Sequence, residues 1–159
     1  VRSQHMRHRT WAYNEISRRY TDVYLRFYEP PMFRTQHKSN RQASNIDNQQ
    51  DPTIAPRFLD TYSKSTEAVA KWHDMSLDLF DKLIEAGVCR EQARGVLPQN
   101  LYAKYYGTVN LSNLLKFIDL RMHEGAQWEI QKVAEACLDI AQDIWPYSIG
   151  AYRELRGEV

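Results

Sequence analysis

Four guanidinium groups fall within the short stretch Arg7–Tyr20: Arg7, Arg9, Arg18 and Arg19, in company with His8, Asn14, Glu15 and Ser17. Guanidinium keeps its charge at any pH a protein meets and presents a flat fork to phosphate oxygens. Groups so close together repel one another unless an anion sits among them. Any fold must therefore hold this stretch either in water or around an anion. A solvated basic face would meet that demand. Two details favour a site instead. Asn14 and Glu15 interrupt the cationic run at a turn-like spot. Ser17 and Arg19 follow Glu15 by even steps, so an extended segment puts all three on one side.

The net charge of +1 hides an asymmetry. Residues 1–45 carry nine Lys/Arg against three Asp/Glu, and residues 46–159 carry twelve against seventeen. A basic segment in a neutral chain implies an anionic ligand. Charge alone leaves open a nucleotide, a nucleic acid or an acidic partner. Trp11 and the neighbouring tyrosines could stack on bases, which gives a nucleic-acid-binding module without catalysis as the rival reading.

At 159 residues the chain is expected to form a single domain. No apolar run approaches a membrane span and no signal peptide is visible. Cys89 and Cys137 are far apart, which suggests neither a disulfide framework nor a metal site, and both read as reduced core or near-core thiols of a cytoplasmic protein.

Residues 20–33 are aromatic and β-branched, with Val23, Leu25 and Phe27 alternating against Tyr24, Arg26 and Tyr28, which predicts a short strand. The polar stretch 34–56 reads as a long loop, of the kind that often forms a lid. Helices are predicted over about 60–86, with Val69, Trp72, Phe80 and Leu83 on one stripe and Gly87 after its end, and over Arg90–Val96. His73 lies beside the first stripe and reads as structural. A further helix is expected over about 108–123, with Leu111, Leu114, Leu115, Ile118 and Met122 inward. The last is expected over about 126–144, ended by Trp145 and Pro146. Arg121 falls at the edge of an apolar stripe, a costly place unless an acceptor meets it. Glu129, Asp119 or a ligand could serve.

Two motifs carry a family resemblance. The first is Arg7-His8-Arg9 followed by Asn14, Glu15, Ser17, Arg19 and Tyr20. It resembles the signature of the flavin-dependent thymidylate synthases. The second begins with Arg90, Glu91, Ala93, Arg94, Val96, Leu97, Pro98, Asn100, Leu101 and Tyr102. It continues through Thr108-Val109-Asn110, Leu120-Arg121 and Ala126-Gln127-Trp128-Glu129-Ile130, and is similar to the second half of that family. Residues 33–42 are similar to a substrate-side loop in part of it. The resemblance spans Gln4 to about Pro146.

It implies an α+β fold, mostly helical with a small antiparallel sheet. It implies reductive methylation of dUMP to dTMP, with FAD as cofactor, NADPH as reductant and methylenetetrahydrofolate as one-carbon donor. Active sites would be shared between subunits of a homotetramer, with no nucleic acid, membrane or metal involved. Arg121 matches the arginine that holds the uracil ring and favours ionisation at N3. Arg7, His8, Arg9, Glu15 and Asn110 match flavin-binding positions, and Ser112 and Lys116 stand at two more. Gln4, Arg7, Glu15, Ser17, Arg18, Arg19, Arg94 and Arg121 match dUMP-binding positions. Three residues depart from the pattern: Ser112 replaces an arginine, Lys116 replaces Asn or His, and His5 stands where an apolar residue is usual. Family members also carry an N-terminal region that this sequence lacks, so it is expected to be incomplete at that end.

Overall fold

Helices and short paired strands follow one another along the chain. In order they are α1 (Arg2–His5), β1 (Ala12–Glu15), β2 (Phe33–Gln36), β3 (Ser44–Gln50), β4 (Thr53–Ile54), β5 (Ser63–Lys64), α2 (Ser65–Glu85), α3 (Arg90–Ala93) with a 3-10 turn at Arg94–Val96, β6 (Tyr105–Thr108), α4 (Leu111–Arg121), α5 (Trp128–Ile144) and α6 (Pro146–Leu155). This is a computed structural model, and it describes residues 1–17, 25–41 and 43–157. The fold is α+β, with small antiparallel sheets beside the helices. β1 pairs with β6, β2 with β3, and β4 with β5, the last in the register Thr53↔Lys64 and Ile54↔Ser63. The chain divides into two compact units: Val1–Tyr13, Gln36–Ile46 and Gly107–Val159 form one, Asn14–Thr35 and Asp47–Tyr106 the other.

The first unit is built on α4, α5 and α6. Asn110 caps α4, its side-chain oxygen accepting from the Asn113 N–H at 3.0 Å. Phe117, Ile118, Ile130, Ala134, Leu138, Ala141 and Ile149 form the buried core. Each large apolar side chain there contributes about 1.5–3 kcal/mol through its removal from water. Phe117 of α4 and Leu138 of α5 are buried, while Ile144 at the end of α5 is exposed. Pro146 does end α5, yet it also opens α6, because proline has no N–H to lose at the first position of a helix. Ile149 then brings α6 onto the core. Asp119 accepts from Tyr152 Oη at 2.7 Å and from Arg156, so it is committed to α6.

The second unit is built on α2. Asp51 accepts from both the Thr66 N–H and its hydroxyl at 2.9 Å, and the Thr66 N–H above all holds that carboxyl below its usual range. Glu67 reaches back to the Lys64 N–H. At the far end Gly87 takes φ +85°, the left-handed conformation that glycine adopts without steric cost. The inward face is Ser65, Ala68, His73, Ser76 and Phe80, a stripe rotated from the expected one, and Trp72 stays outside. His73 is buried with its ring stacked on Phe27 at 4.4 Å. Its Nδ1 lies 2.6 Å from Glu29 Oε1, and its Nε2 lies 2.8 Å from Asn100 Nδ2, which also donates to the Tyr28 carbonyl. Its expected structural role holds.

The predicted strand over 20–33 lies partly outside the described residues. Its described part forms a single antiparallel bridge, Phe27↔Leu101, flanked by Tyr28 N–H to the Asn100 carbonyl and Tyr102 N–H to the Arg26 carbonyl. Where a loop was expected over 34–56, β2 and β3 pair into a ribbon and β4 follows. Of the cysteines, Cys137 is half-buried but Cys89 is exposed, and both are free.

Candidate functional site

The residues that converge do so in the first unit, where the turn after α1 meets α4. Backbone bonds fold that turn tightly: the His8 N–H donates to the His5 carbonyl at 2.9 Å, and the Trp11 N–H to the His8 carbonyl at 3.1 Å. Tyr13 Oη donates to the same two carbonyls at 2.6 and 3.2 Å. The expected turn at Asn14-Glu15 is instead strand β1, along which exposure alternates as far as Ser17. Glu15 ends β1 and Ser17 follows it with the same intermediate exposure, while Arg19, the third residue of the expected set, lies outside the described residues.

Aromatic rings hold the turn against α4. His5, only 5% exposed, packs edge-on against Trp11 at 4.3 Å and lies tilted against Phe117 at 4.8 Å. Burial, then His8 and Arg121, lower its pKa to about 4, so the ring is neutral at neutral pH. A neutral, ring-packed imidazole does the work of an apolar side chain, which explains how His5 fits where the family resemblance expects one. Gly107 in β6 lets Trp11 come close, since a Cβ there would stand 2.9 Å from Trp11 Cε3.

Arg121, at the last turn of α4, reaches into this turn. Its Nε–H donates to His8 Nε2 at 3.0 Å and an Nη2–H to the Gln4 carbonyl at 3.2 Å. The expected partners Glu129 and Asp119 are engaged elsewhere. A guanidinium is never an acceptor, so His8 must accept at Nε2, and its ring is neutral with the proton on Nδ1. Burial and then Arg121 lower the His8 pKa in keeping with that. Burial and then Arg7 lower the Arg121 pKa, which stays far above neutrality.

Gln4 carries a second connection that sequence reasoning missed. Its Nε2 donates to Gln127 Oε1 at 3.0 Å, and Gln127 Nε2 donates to Glu129 Oε2 at 2.8 Å. Gln127 and Glu129 were visible in the motif around Trp128, but an amide pair carries no charge pattern to mark it.

The remaining predicted residues spread out. Arg7 and Arg9 are exposed on either side of His8, and among the described residues neither has an ion-pair partner. Ser112 and Lys116 are exposed and one turn apart on α4, with Asn110 at its cap. Glu15, Ser17 and Arg94 belong to the second unit, where Arg94 is exposed and its Nε donates to the Glu91 carbonyl at 3.3 Å. Arg18 and Arg19 lie outside the described residues. Among the described residues no cluster of His, Cys, Asp and Glu could hold a metal ion, and no helix is long and apolar enough to cross a membrane.

A flavin-dependent thymidylate synthase from Thermus thermophilus is 38% identical over 154 residues, covering 97% of this chain and 53% of the relative. One from Aquifex aeolicus is 42% identical over 137 residues, covering 86% and 40%. The chain thus spans about half the length of the curated relatives it matches. Among solved structures, the UMP/dUMP methylase PolB from Streptomyces cacaoi, bound with 5-Br UMP, superposes with a TM-score of 0.76 at 26% identity, over 96% of this chain and 67% of its own. The model of the family Thy1, thymidylate synthase complementing protein, matches residues 1–147. With that match and those relatives, the chain belongs to the Thy1 family, the flavin-dependent thymidylate synthases that its two motifs resemble.

Proposed function

We propose that this chain carries the nucleotide- and flavin-binding part of a thymidylate synthase that makes dTMP from dUMP. The observation that carries the reading is the convergence of Arg121 on His8 and on the Gln4 carbonyl. One guanidinium is thereby held between a flavin-type and a uridylate-type position. Arg121 cannot give up a proton, so its role is to stabilise negative charge that develops on the pyrimidine in a partly buried place. His8 fixes the direction of that guanidinium by accepting from its Nε–H.

The donor set suits FAD: Arg7 and Arg9 are exposed guanidiniums without acidic partners among the described residues, and Lys116 adds a cation on α4 beside Ser112. Such a set fits a diphosphate. When bound, FAD would supply the hydride, drawn from NADPH, that completes the methyl group, with methylenetetrahydrofolate as carbon donor. Arg7, Glu15, Ser17, Arg18, Arg19 and Arg94 are assigned to uridylate binding in this reading, as their match to the family's positions implies. We place the enzyme in the cytoplasm as a homotetramer. Support for subunit packing comes from the large apolar side chains left exposed on α5 and α6, with Ile140, Ile144, Tyr147 and Leu155 all more than half exposed.

The nucleic-acid module is not favoured, because Trp11, its best stacking residue, is packed on His5 and Phe117. The test is equilibrium binding of dUMP and FAD to the full chain, with retention of the flavin spectrum through gel filtration. Saturable dUMP binding with shallow salt dependence supports the synthase. Oligonucleotide binding with a steep salt slope and no affinity for dUMP would overturn it.

A further inference from the structure

We infer that Gln127 and Glu129 are positioning residues that fix the direction of the Gln4 side-chain amide, so that it turns an acceptor toward the pyrimidine and selects uracil over cytosine. The inference rests on the uridylate reading above. Its starting point is a polarity that runs one way along three side chains. A carboxylate offers acceptors only, so the group Gln127 turns toward Glu129 must be its NH₂. That leaves Gln127 Oε1 facing Gln4, and Gln4 must answer with its own NH₂. The oxygen of the Gln4 amide is then directed away from the relay. It is buried, and among the described residues nothing donates to it.

The parts of the relay have little freedom. Gln127 is the N-cap residue of α5, and its carbonyl accepts from the Ile130 and Gln131 N–H groups at 3.0 and 3.1 Å. Gln131 Nε2 ties the preceding turn through the Ala126 carbonyl at 2.9 Å. Glu129 lies in the first turn of α5, where the helix dipole favours its negative charge. Gln4 is held at its backbone as well, its N–H donating to the Val1 carbonyl at 3.0 Å while its own carbonyl accepts from Arg121. With its main chain held and its Nε2 committed to Gln127, the Gln4 amide keeps its oxygen turned away from the relay.

A buried acceptor without a donor is destabilising, a cost that a ligand N–H would remove. As the side chains now stand the oxygen is sealed from water, so the ligand reaches it by displacing them. The pairing edge of uracil reads acceptor, donor, acceptor, with N3–H in the middle. That of cytosine puts a bare acceptor at N3. An inward amide oxygen accepts from the first and opposes the second. This contact recognises the neutral base, so it acts in binding and KM, while Arg121 acts on charge that develops later.

The experiment compares dUMP with dCMP as ligands of the flavin-loaded full chain, by equilibrium binding and by KM and kcat for dUMP. The variants are Glu129→Gln and the double variant Gln127→Glu/Glu129→Gln. Glu129→Gln keeps the shape but lets both amides turn over. It should lower the dUMP-to-dCMP preference about tenfold or more and raise KM without lowering kcat. The double variant moves the carboxylate one step along the relay, where it again can only accept from Gln4, so the preference should return. A preference in Glu129→Gln that stays within about twofold of the parent overturns the relay, as does a preference that falls but is not restored in the double variant. A parent chain that binds no dUMP overturns the uridylate reading itself, and the relay with it.

Discussion

Each unit of the molecule buries one histidine, and the two are kept for different reasons. His5 sits in a cage of rings, with Trp11, Tyr13 and Phe117 around it and the neutral His8 and the cationic Arg121 near it. His73 sits between a carboxylate and an amide, with Glu29 at one ring nitrogen, Asn100 at the other and Phe27 flat against it. Both are almost fully buried. Burial by itself therefore does not say what a histidine does. The first ring behaves as an apolar spacer beside the candidate site, and the second is a polar joint between α2 and the segments on either side of it.

The largest effect that bears on this contrast comes from Arg121→Ala. It removes the donor to His8 and to Gln4 and the guanidinium charge near His5. Turnover of dUMP should fall about 10²–10³-fold, the usual loss when one preorganised electrostatic donor is deleted. A steady-state assay of dTMP formation checks it. If the variant turned over dUMP normally, Arg121 would not be the activating residue and the cationic side of the comparison would lose its meaning.

The next effect is a pH dependence of stability. His5 titrates near 6.5 in the unfolded chain and at about 4 in the folded one. Between those values the unfolded chain binds the proton and the folded chain does not. Stability attributable to His5 is therefore full above pH 6.5 and is lost as pH falls toward 4, by about 3 kcal/mol at the limit. Replacing the ring by one that cannot titrate, His5→Phe, should remove most of this loss. Urea unfolding at pH 7 and pH 4.5 for both proteins checks it, and an equal acid loss in both would place the sensitive group elsewhere.

How much of this could be read beforehand depended on the kind of signal. α5 was legible because its apolar residues recur at helical spacing over seventeen residues. α6 was not, because Pro146 reads as a stop after α5 and is equally suited to a start. β3 was hidden because six of its seven residues are exposed, so no alternation of polar and apolar marked it. In the candidate site, the edge position of Arg121 was legible from the helical wheel. Its acceptors were not. They lie 113 and 117 positions away in sequence, and they are a ring nitrogen and a backbone carbonyl, neither of which is marked by residue charge.

A smaller perturbation tests the ring cage from outside the histidine. Gly107→Ala would put a Cβ within 2.9 Å of Trp11 Cε3 and 3.6 Å of His5 Cε1. Trp11 must shift, and overpacking of this sort costs about 1–3 kcal/mol. Thermal unfolding should report the loss, and the near-ultraviolet circular dichroism of the stacked Trp11 and Tyr13 should change with it. A variant as stable as the parent, with an unchanged aromatic spectrum, would mean that the cage is loose and that His5 is not held by ring contact.

The smallest expected effect lies at the other histidine. Glu29→Gln keeps an oxygen that can accept from His73 Nδ1 but removes the charge. The Glu29 side chain is half exposed, so water already screens that charge, and an exposed ion pair contributes about 0–1 kcal/mol. The remaining ties on His73 survive the change: Asn100 Nδ2 still donates to its Nε2 and to the Tyr28 carbonyl, and Phe27 still covers its face. Loss of stability at pH 7 should therefore be about 0.5–1 kcal/mol by urea unfolding. A loss of several kcal/mol would show that the carboxylate holds the joint together. The joint would then rest on the Glu29 charge, and the Asn100 and Phe27 contacts would not be enough to hold His73 in place.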